Sequence, residues 1–271
     1  MGARRPMSKV KMPDGAILSA RINGVGRDVL FVSGLGGTAA VWDRAVGALG
    51  GSIRAITFDQ RGIGESTRGE AAVSIESLAE DSWRLLDDVG EGRPFLVGHS
   101  MGGAIVQAME QRRPGQAAGL AISASWAGPS RYMSALFRMR MDLLDKCPQA
   151  YASCVTLLAY PAGWLNANWD VYENAVKQAP DSATARLVIC ERTQALMAHD
   201  MRRDLRGMNA PTLVLGSKDD QVVPSFLQDE LIELLPNAQT HWFDGGGHGF
   251  TETKPEEFAR RLKIWMTELG A

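Results

Sequence analysis

The chain has 271 residues, 45% of them apolar and 22% charged, with a formal net charge of -2. That length supports a substantial core, either as one large α/β domain or as a domain carrying an insertion, and the near-neutral balance gives no signature of nucleic-acid or membrane partners. No apolar run approaches the roughly 18 residues of a membrane span. The Arg4-Arg5-Pro6 start has no apolar stretch behind it and reads as a poor export signal, and Pro6 stands where a myristoylation signal wants Ser or Thr.

In chain order, residues 8–22 predict two short strands around the Pro13-Asp14-Gly15 turn. A buried strand over 29–32 runs into Ser33-Gly34-Leu35-Gly36-Gly37. Another over 53–58 ends in the turn-rich Asp59-Gln60-Arg61-Gly62-Ile63-Gly64. Leu78, Leu85, Leu86 and Val89 have helical spacing within 74–89. Strands follow over 94–98, into Gly98-His99-Ser100-Met101-Gly102, and over 120–123. The rhythm then breaks: from about 127 to 207 the chain is rich in Met, Arg, Ala and Trp, with helical periodicity and no convincing strand. It resumes with a strand over 211–215, a helix over about 224–235, a strand over 239–243 and a closing helix from 255 to about 269. Alternating strands and helices predict an α/β fold with a mostly parallel sheet, here eight-stranded, flanked by helices. Residues 1–126 and 208–271 form the core domain in this reading. Residues 127–207 form a helical cap (lid) over an active site, inserted after strand 6. There are no internal repeats. Cys147, Cys154 and Cys190 are odd in number and lack C-x-x-C spacing, so they read as free thiols in a reducing cytoplasm.

Gly98 to Gly102 has the form G-x-S-x-G between a strand and a helix of small residues. That context places a serine on a sharp, strained turn with its hydroxyl exposed above the sheet, a nucleophile elbow. A serine hydroxyl is a weak nucleophile until a base takes its proton, and the base needs an orienting group. His248, in the glycine-rich 245–249 loop before the last helix, suits the base. His99, His199 and His241 read as structural. Two adjacent aspartates follow the strand that begins at Pro211. Asp220 is preferred as the orienting acid for its offsets from Pro211 and Pro224, and Asp219 reads as a turn former. An alkoxide formed at the substrate needs preorganised donors, assigned to the backbone N–H groups of Leu35 and Met101 as an oxyanion hole. The 33–37 loop is not a dinucleotide motif, because Ala39 occupies the third glycine position.

With these pieces the chain resembles the α/β-hydrolase superfamily over essentially its full length. The likeness rests on Ser33 to Gly37 with Trp42, the Asp59 to Ser66 turn, Gly98 to Gly102, Asp220 to Pro224 and Gly246-Gly247-His248. The order Ser100, Asp220, His248 is that superfamily's nucleophile–acid–base order. Within it the chain is similar to 3-oxoadipate enol-lactonases and to the aminoacrylate hydrolases of bacterial pyrimidine degradation. The latter likeness extends to the Tyr160-Pro161-Ala162-Gly163-Trp164 stretch. Some members of that group keep no serine at the elbow; this chain does, which implies covalent catalysis. By the same resemblance Asp59, Gln60 and Arg61 hold the strand turn and the oxyanion loop, Arg61 in an internal ion pair, with a substrate-carboxylate contact as its alternative role. Trp42 reads as core.

The expected activity is a serine esterase-type hydrolase acting through a Ser-His-Asp catalytic triad and an acyl-enzyme. Its substrate would be a small carboxylic ester, enol-lactone or amide-like compound. Perhydrolysis, C–C bond hydrolysis or acyl transfer by the same triad is the alternative, and a non-enzymatic ligand-binding protein the second. Trp126, Arg131, Arg138, Tyr160, Trp164 and Trp169 are candidates to line the substrate cavity, an inward arginine suiting a carboxylate. Met133, Met139 and Met141 read as gap-fillers. No cofactor or metal is implied; the expected partner is a small-molecule substrate, with the chain a monomer or homodimer.

Overall fold

The computed structural model describes residues 7–270; the Arg4-Arg5-Pro6 segment lies outside them. The core elements run in the order β1 (Ser8–Lys11), β2 (Ile17–Asn23), β3 (Arg27–Val32), α1 (Asp43–Leu49), β4 (Ile53–Asp59), α2 (Ile75–Val89), β5 (Phe95–His99), α3 (Met101–Arg112) and β6 (Gly119–Ser123). The insertion comprises α4 (Arg131–Lys146), α5 (Pro148–Ala159), α6 (Ala162–Ala167), α7 (Trp169–Lys177), α8 (Ala183–Ala198) and α9 (Arg202–Leu205). The core resumes with β7 (Thr212–Ser217), α10 (Ser225–Leu234), β8 (Ala238–Phe243), α11 (Phe250–Thr253) and α12 (Pro255–Glu268).

The strands form one eight-stranded sheet in the order β1-β2-β4-β3-β5-β6-β7-β8. β1 and β2 pair antiparallel, β2 pairs antiparallel with β4, and every pairing from β4 to β8 is parallel. Side chains alternate between two cores, as the period of two in a strand requires. Leu30, Val32, Ile56, Phe58, Leu96, Ile122 and Val214 face the layer built with α2, α3 and α10. Val29, Phe31, Phe95, Val97, Leu213, Leu215 and Phe243 face the layer built with α1 and α12. Near-continuous apolar runs in the central strands follow from burial on both faces. Burying each large side chain contributes about 1.5–3 kcal/mol.

The chain leaves the sheet after β6 and returns at β7, so the helical cap is inserted after strand 6. α4 starts at Ser130, whose side chain accepts the Met133 N–H, and α5 starts with Pro148, where a missing N–H costs no helical bond. A small cap core gathers Leu144, Tyr151 and Ile189 from α4, α5 and α8. Among the described residues no helix is long and apolar enough to cross a membrane.

Candidate active site

Parallel strands end on one edge, and the 33–37 loop, Ser100, the 218–224 loop and the 244–249 loop all lie there. Ser100 sits between β5 and α3 at φ 57° and ψ -121°, a conformation that costs a non-glycine residue about 1–3 kcal/mol. Its flanking glycines are steric necessities. A Cβ on Gly98 would run into the Gly102 carbonyl, and one on Gly102 into the Val32 carbonyl. The strain is held by the Ser100 N–H, which donates to the Ser123 carbonyl at 2.8 Å, and by α3 starting at the next residue.

Asp220 is fully buried at its side chain and divides its two oxygens. Oδ1 accepts the Val222 and Val223 N–H groups, each at 2.8 Å, and Oδ2 lies 2.8 Å from His248 Nδ1. Asp219 points elsewhere. It accepts the Ser217 hydroxyl at 2.6 Å and the N–H groups of Gly246 and Gly247 at 3.2 and 2.8 Å. Burial works against its charge, yet these donors hold its carboxyl below the usual range. His248 and Ser100 line one cavity of about 150 Å³, although among the described residues no hydrogen bond joins Ser100 Oγ to the imidazole. Catalytic hydrogen bonds of this kind are often long without substrate and tighten in the complex.

The 33–37 loop passes against the serine: a Cβ on Gly34 would lie 3.1 Å from Ser100 Cβ and 3.6 Å from Oγ. Leu35 lines the cavity, and Met101 opens α3, where backbone N–H groups lack partners within the helix. The loop is fixed from below. Gln60 Nε2 donates to the Ser33 carbonyl at 2.7 Å, and Trp42 Nε1 donates to Ser33 Oγ at 3.1 Å. Asp59 Oδ1 accepts the Ala39 N–H at 2.7 Å. Arg61 reaches Asp81 through Nε at 2.6 Å and Nη2 at 2.8 Å, and Asp14 through Nη1 at 2.7 Å, an internal ion cluster. Trp42 is fully buried in the core and is also among the residues around the cavity.

The other histidines have structural partners or packing. His99 Nδ1 lies 3.0 Å from Ser123 Oγ, its ring centroid is 4.9 Å from that of His248 with the planes tilted by 49°, and it lines the same cavity as Ser100. Burial, and then the neighbouring His248, hold it well below the ordinary histidine range. His241 Nε2 lies 3.0 Å from Glu257 Oε1, and His199 is buried after α8.

Of the residues expected to line the cavity, Tyr160 does so, and its hydroxyl donates to Glu252 Oε1 at 2.7 Å. Burial, and then the Glu252 carboxylate, push the Tyr160 phenol up, and burial likewise raises Glu252. Trp164 stacks behind Tyr160 at 5.0 Å and does not line the cavity. Trp126 is enclosed in the core below the cap, and Arg131 and Arg138 are exposed on α4; none of them reaches the cavity.

The arginine that does is Arg140. It is 5% exposed and lies among the cavity-lining residues, its Cζ 5.2 Å from the Phe137 ring centroid. The signal for it was present in the sequence. Met133, Phe137, Arg140 and Leu144 recur at helical spacing, which puts an arginine in the apolar stripe of α4, whereas Arg131 and Arg138 belong to the opposite face. Glu252, the other charged lining residue, carried no comparable signal.

Ser100, His248 and the 33–37 loop thus line one cavity, with Asp220 bonded to the imidazole, and the described residues include no cluster of potential metal ligands. The alpha/beta hydrolase family matches the chain over residues 29–261. Among similar proteins, RutD of Variovorax paradoxus, named as a carbamate hydrolase, is 33% identical over 91% of this chain and 94% of its own length. RutD of Azorhizobium caulinodans, named likewise, is 32% identical over 94% and 96%. The enol-lactonase of Burkholderia xenovorans superposes with a TM-score of 0.86 at 22% identity, covering 97% of this chain and all (100%) of that one. The chain is a hydrolase and belongs to the alpha/beta hydrolase family.

Proposed function

We propose that the protein hydrolyses a small acyl compound, an ester, a lactone or a C–N acyl derivative such as a carbamate, through Ser100, His248 and Asp220. The Asp220–His248 contact of 2.8 Å, at the rim of the cavity that holds the Ser100 hydroxyl, carries this reading. Asp220 keeps the proton on Nδ1, which leaves Nε2 as the base. Ser100 Oγ attacks the acyl carbon as its proton passes to Nε2. The carbonyl electron pair moves to oxygen, where the Leu35 and Met101 N–H groups receive it; each such donor lowers the barrier by about 3 kcal/mol. As the tetrahedral adduct collapses, the leaving oxygen or nitrogen takes the proton from Nε2 and an acyl-serine remains. Water, deprotonated by the same nitrogen, then attacks the ester and releases the acid and free Ser100. The likeness to proteins named as carbamate hydrolases supports including C–N substrates.

Ser100→Ala removes the nucleophile while leaving the strained turn and the cavity in place. Its expected effect is a loss of kcat on p-nitrophenyl acetate of roughly 10⁴-fold or more, down to the residue supplied by binding alone. Undiminished turnover by that variant contradicts the covalent route.

A further inference from the structure

We infer that Arg192, on helix α8 of the insertion, is a positioning residue for the oxyanion loop: acting through Gln60, it sets where the Leu35 N–H stands beside Ser100. This rests on the hydrolase reading of the same site. Arg192 is fully buried and, like Gln60, is not among the residues around the cavity, so its influence on the reaction runs through other groups. Among the described residues Nη2 is the one nitrogen of this guanidinium with a hydrogen bond, which it donates to Gln60 Oε1 at 2.5 Å. Burial lowers Arg192 to about 10, so it keeps its charge at neutral pH. A buried cation whose single bond goes to a neutral amide, and not to a carboxylate, is a costly way to gain stability.

That bond settles which way the amide faces. A carboxamide has nearly the same shape at both ends, and a guanidinium can only donate. Oε1 therefore turns to Arg192, and Nε2 to the Ser33 carbonyl 2.7 Å away. The charge also polarises the amide and strengthens its second bond. Ser33 begins the loop. The next four residues form a turn closed by the Gly37 N–H on the Gly34 carbonyl at 3.2 Å, with Gly36 left-handed at φ 74°. Such a turn bonds its first and last residues and makes no use of the second residue's N–H, here that of Leu35. Helix α8 touches the turn a second time: a Cβ on Gly36 would lie 3.2 Å from Ile189 Cδ1. Ile189 and Arg192 are neighbours at i, i+3 spacing, so one stretch of α8 governs both contacts. Without Arg192 the amide is free to flip, which brings Oε1 against the Ser33 oxygen and releases the loop.

The test combines steady-state hydrolysis of p-nitrophenyl acetate, inhibition by ethylboronic acid and amide hydrogen exchange over residues 34–37. The boronic acid takes Ser100 Oγ onto boron as the serine proton passes to His248, and the tetrahedral adduct sets an oxygen where the alkoxide stands. Arg192→Met is expected to lower kcat by about tenfold to a hundredfold with KM within about threefold, and to weaken the boronic acid by a like factor. Arg192→Lys keeps one donor to Gln60 and falls between. Gln60→Glu retains the link to α8 as an ion pair but has no N–H for the Ser33 carbonyl, so it loses as much kcat as R192M. A residue that merely held α8 in place predicts full turnover for Q60E, and that result overturns the inference. Exchange over 34–37 is expected to quicken by about tenfold in R192M and in Q60E. Unchanged kcat, inhibition and exchange in both variants overturn the positioning role and leave the hydrolase reading intact. A wild type that neither hydrolyses the ester nor binds the boronic acid, with exchange quickened in both variants, does the reverse. Should R192M not fold, R192K and Q60E decide.

Discussion

Asp219 and Asp220 occupy adjacent positions and perform different tasks because their oxygens face different loops. Asp220 aims at the imidazole, while Asp219 pins the backbone of Gly246 and Gly247 on which that imidazole is carried. Asp220→Asn is expected to lower kcat by about 10⁴-fold, since an amide can favour the wrong histidine tautomer. Asp219→Asn keeps one acceptor for the loop and is expected to cost about tenfold or less. Steady-state kinetics on both variants checks this, and a larger loss in D219N contradicts the assignment.

His199 supplies a pH dependence of stability. Burial takes it down to about 4 in the folded chain, against roughly 6.5 when unfolded. Between those values the unfolded chain binds the extra proton. Its contribution is therefore complete above about pH 6.5 and declines as pH falls toward 4, by up to about 3 kcal/mol. Urea unfolding at about pH 7 and about pH 4.5 should show wild type losing roughly 2 kcal/mol more than His199→Gln across that interval. Equal losses in the two proteins contradict it. At this scale Ser100, Asp220 and His248 were legible because each is marked by glycine or proline spacing that backbone geometry imposes. Arg140 carried only the weaker signal of its place in the apolar stripe of α4, because a long cationic stem commonly lies along such a stripe with its head in water.

At the scale of elements, the helical insertion is fastened to the core loops around the Ser100 cavity. The Gly249 N–H donates to the Ala159 carbonyl at 2.9 Å at the end of α5, and Tyr160 holds Glu252 of α11. Tyr132 of α4 donates its hydroxyl to the Gln221 carbonyl, in the loop that follows Asp220. From α8, the fully buried Arg192 donates to Gln60 Oε1 at 2.5 Å, and Gln60 holds the Ser33 carbonyl in turn. Tyr160→Phe removes one fastening and leaves the half-buried Glu252 carboxylate without its hydroxyl donor. Amide hydrogen exchange over residues 247–253 is expected to accelerate by about tenfold, matching the loss of one hydrogen bond to a charged group. Unchanged exchange there means the contact does not restrain the loop. The existence of the helical insertion was legible from the break in strand rhythm. Its individual helices and the short α1 and α11 were not, because brief helices are fixed by what they pack on rather than by their own periodicity.

For the whole molecule, the sheet organises everything else. Continuous apolar runs alternating with helical patterns announced the mostly parallel sheet, and the Pro13-Asp14-Gly15 turn marked the two short strands that pair antiparallel as β1 and β2. The pairing of β2 with β4 rather than β3 was hidden, since strand order depends on contacts between distant segments. Arg61 joins these distant parts, linking the β4 turn to α2 through Asp81 and to the β1–β2 turn through Asp14. Arg61→Met leaves a buried carboxylate without its cation. It is expected to lower the stability measured in urea by about 3–5 kcal/mol, and a loss below about 1 kcal/mol contradicts a structural role for the cluster.

The relay at Ser100 is tested most directly by intact-protein mass spectrometry after exposure to diethyl p-nitrophenyl phosphate. A single diethylphosphoryl group is expected on Ser100 of the wild type, formed far more slowly in His248→Ala and absent from Ser100→Ala. Modification at another residue, or undiminished modification of either variant, contradicts the account.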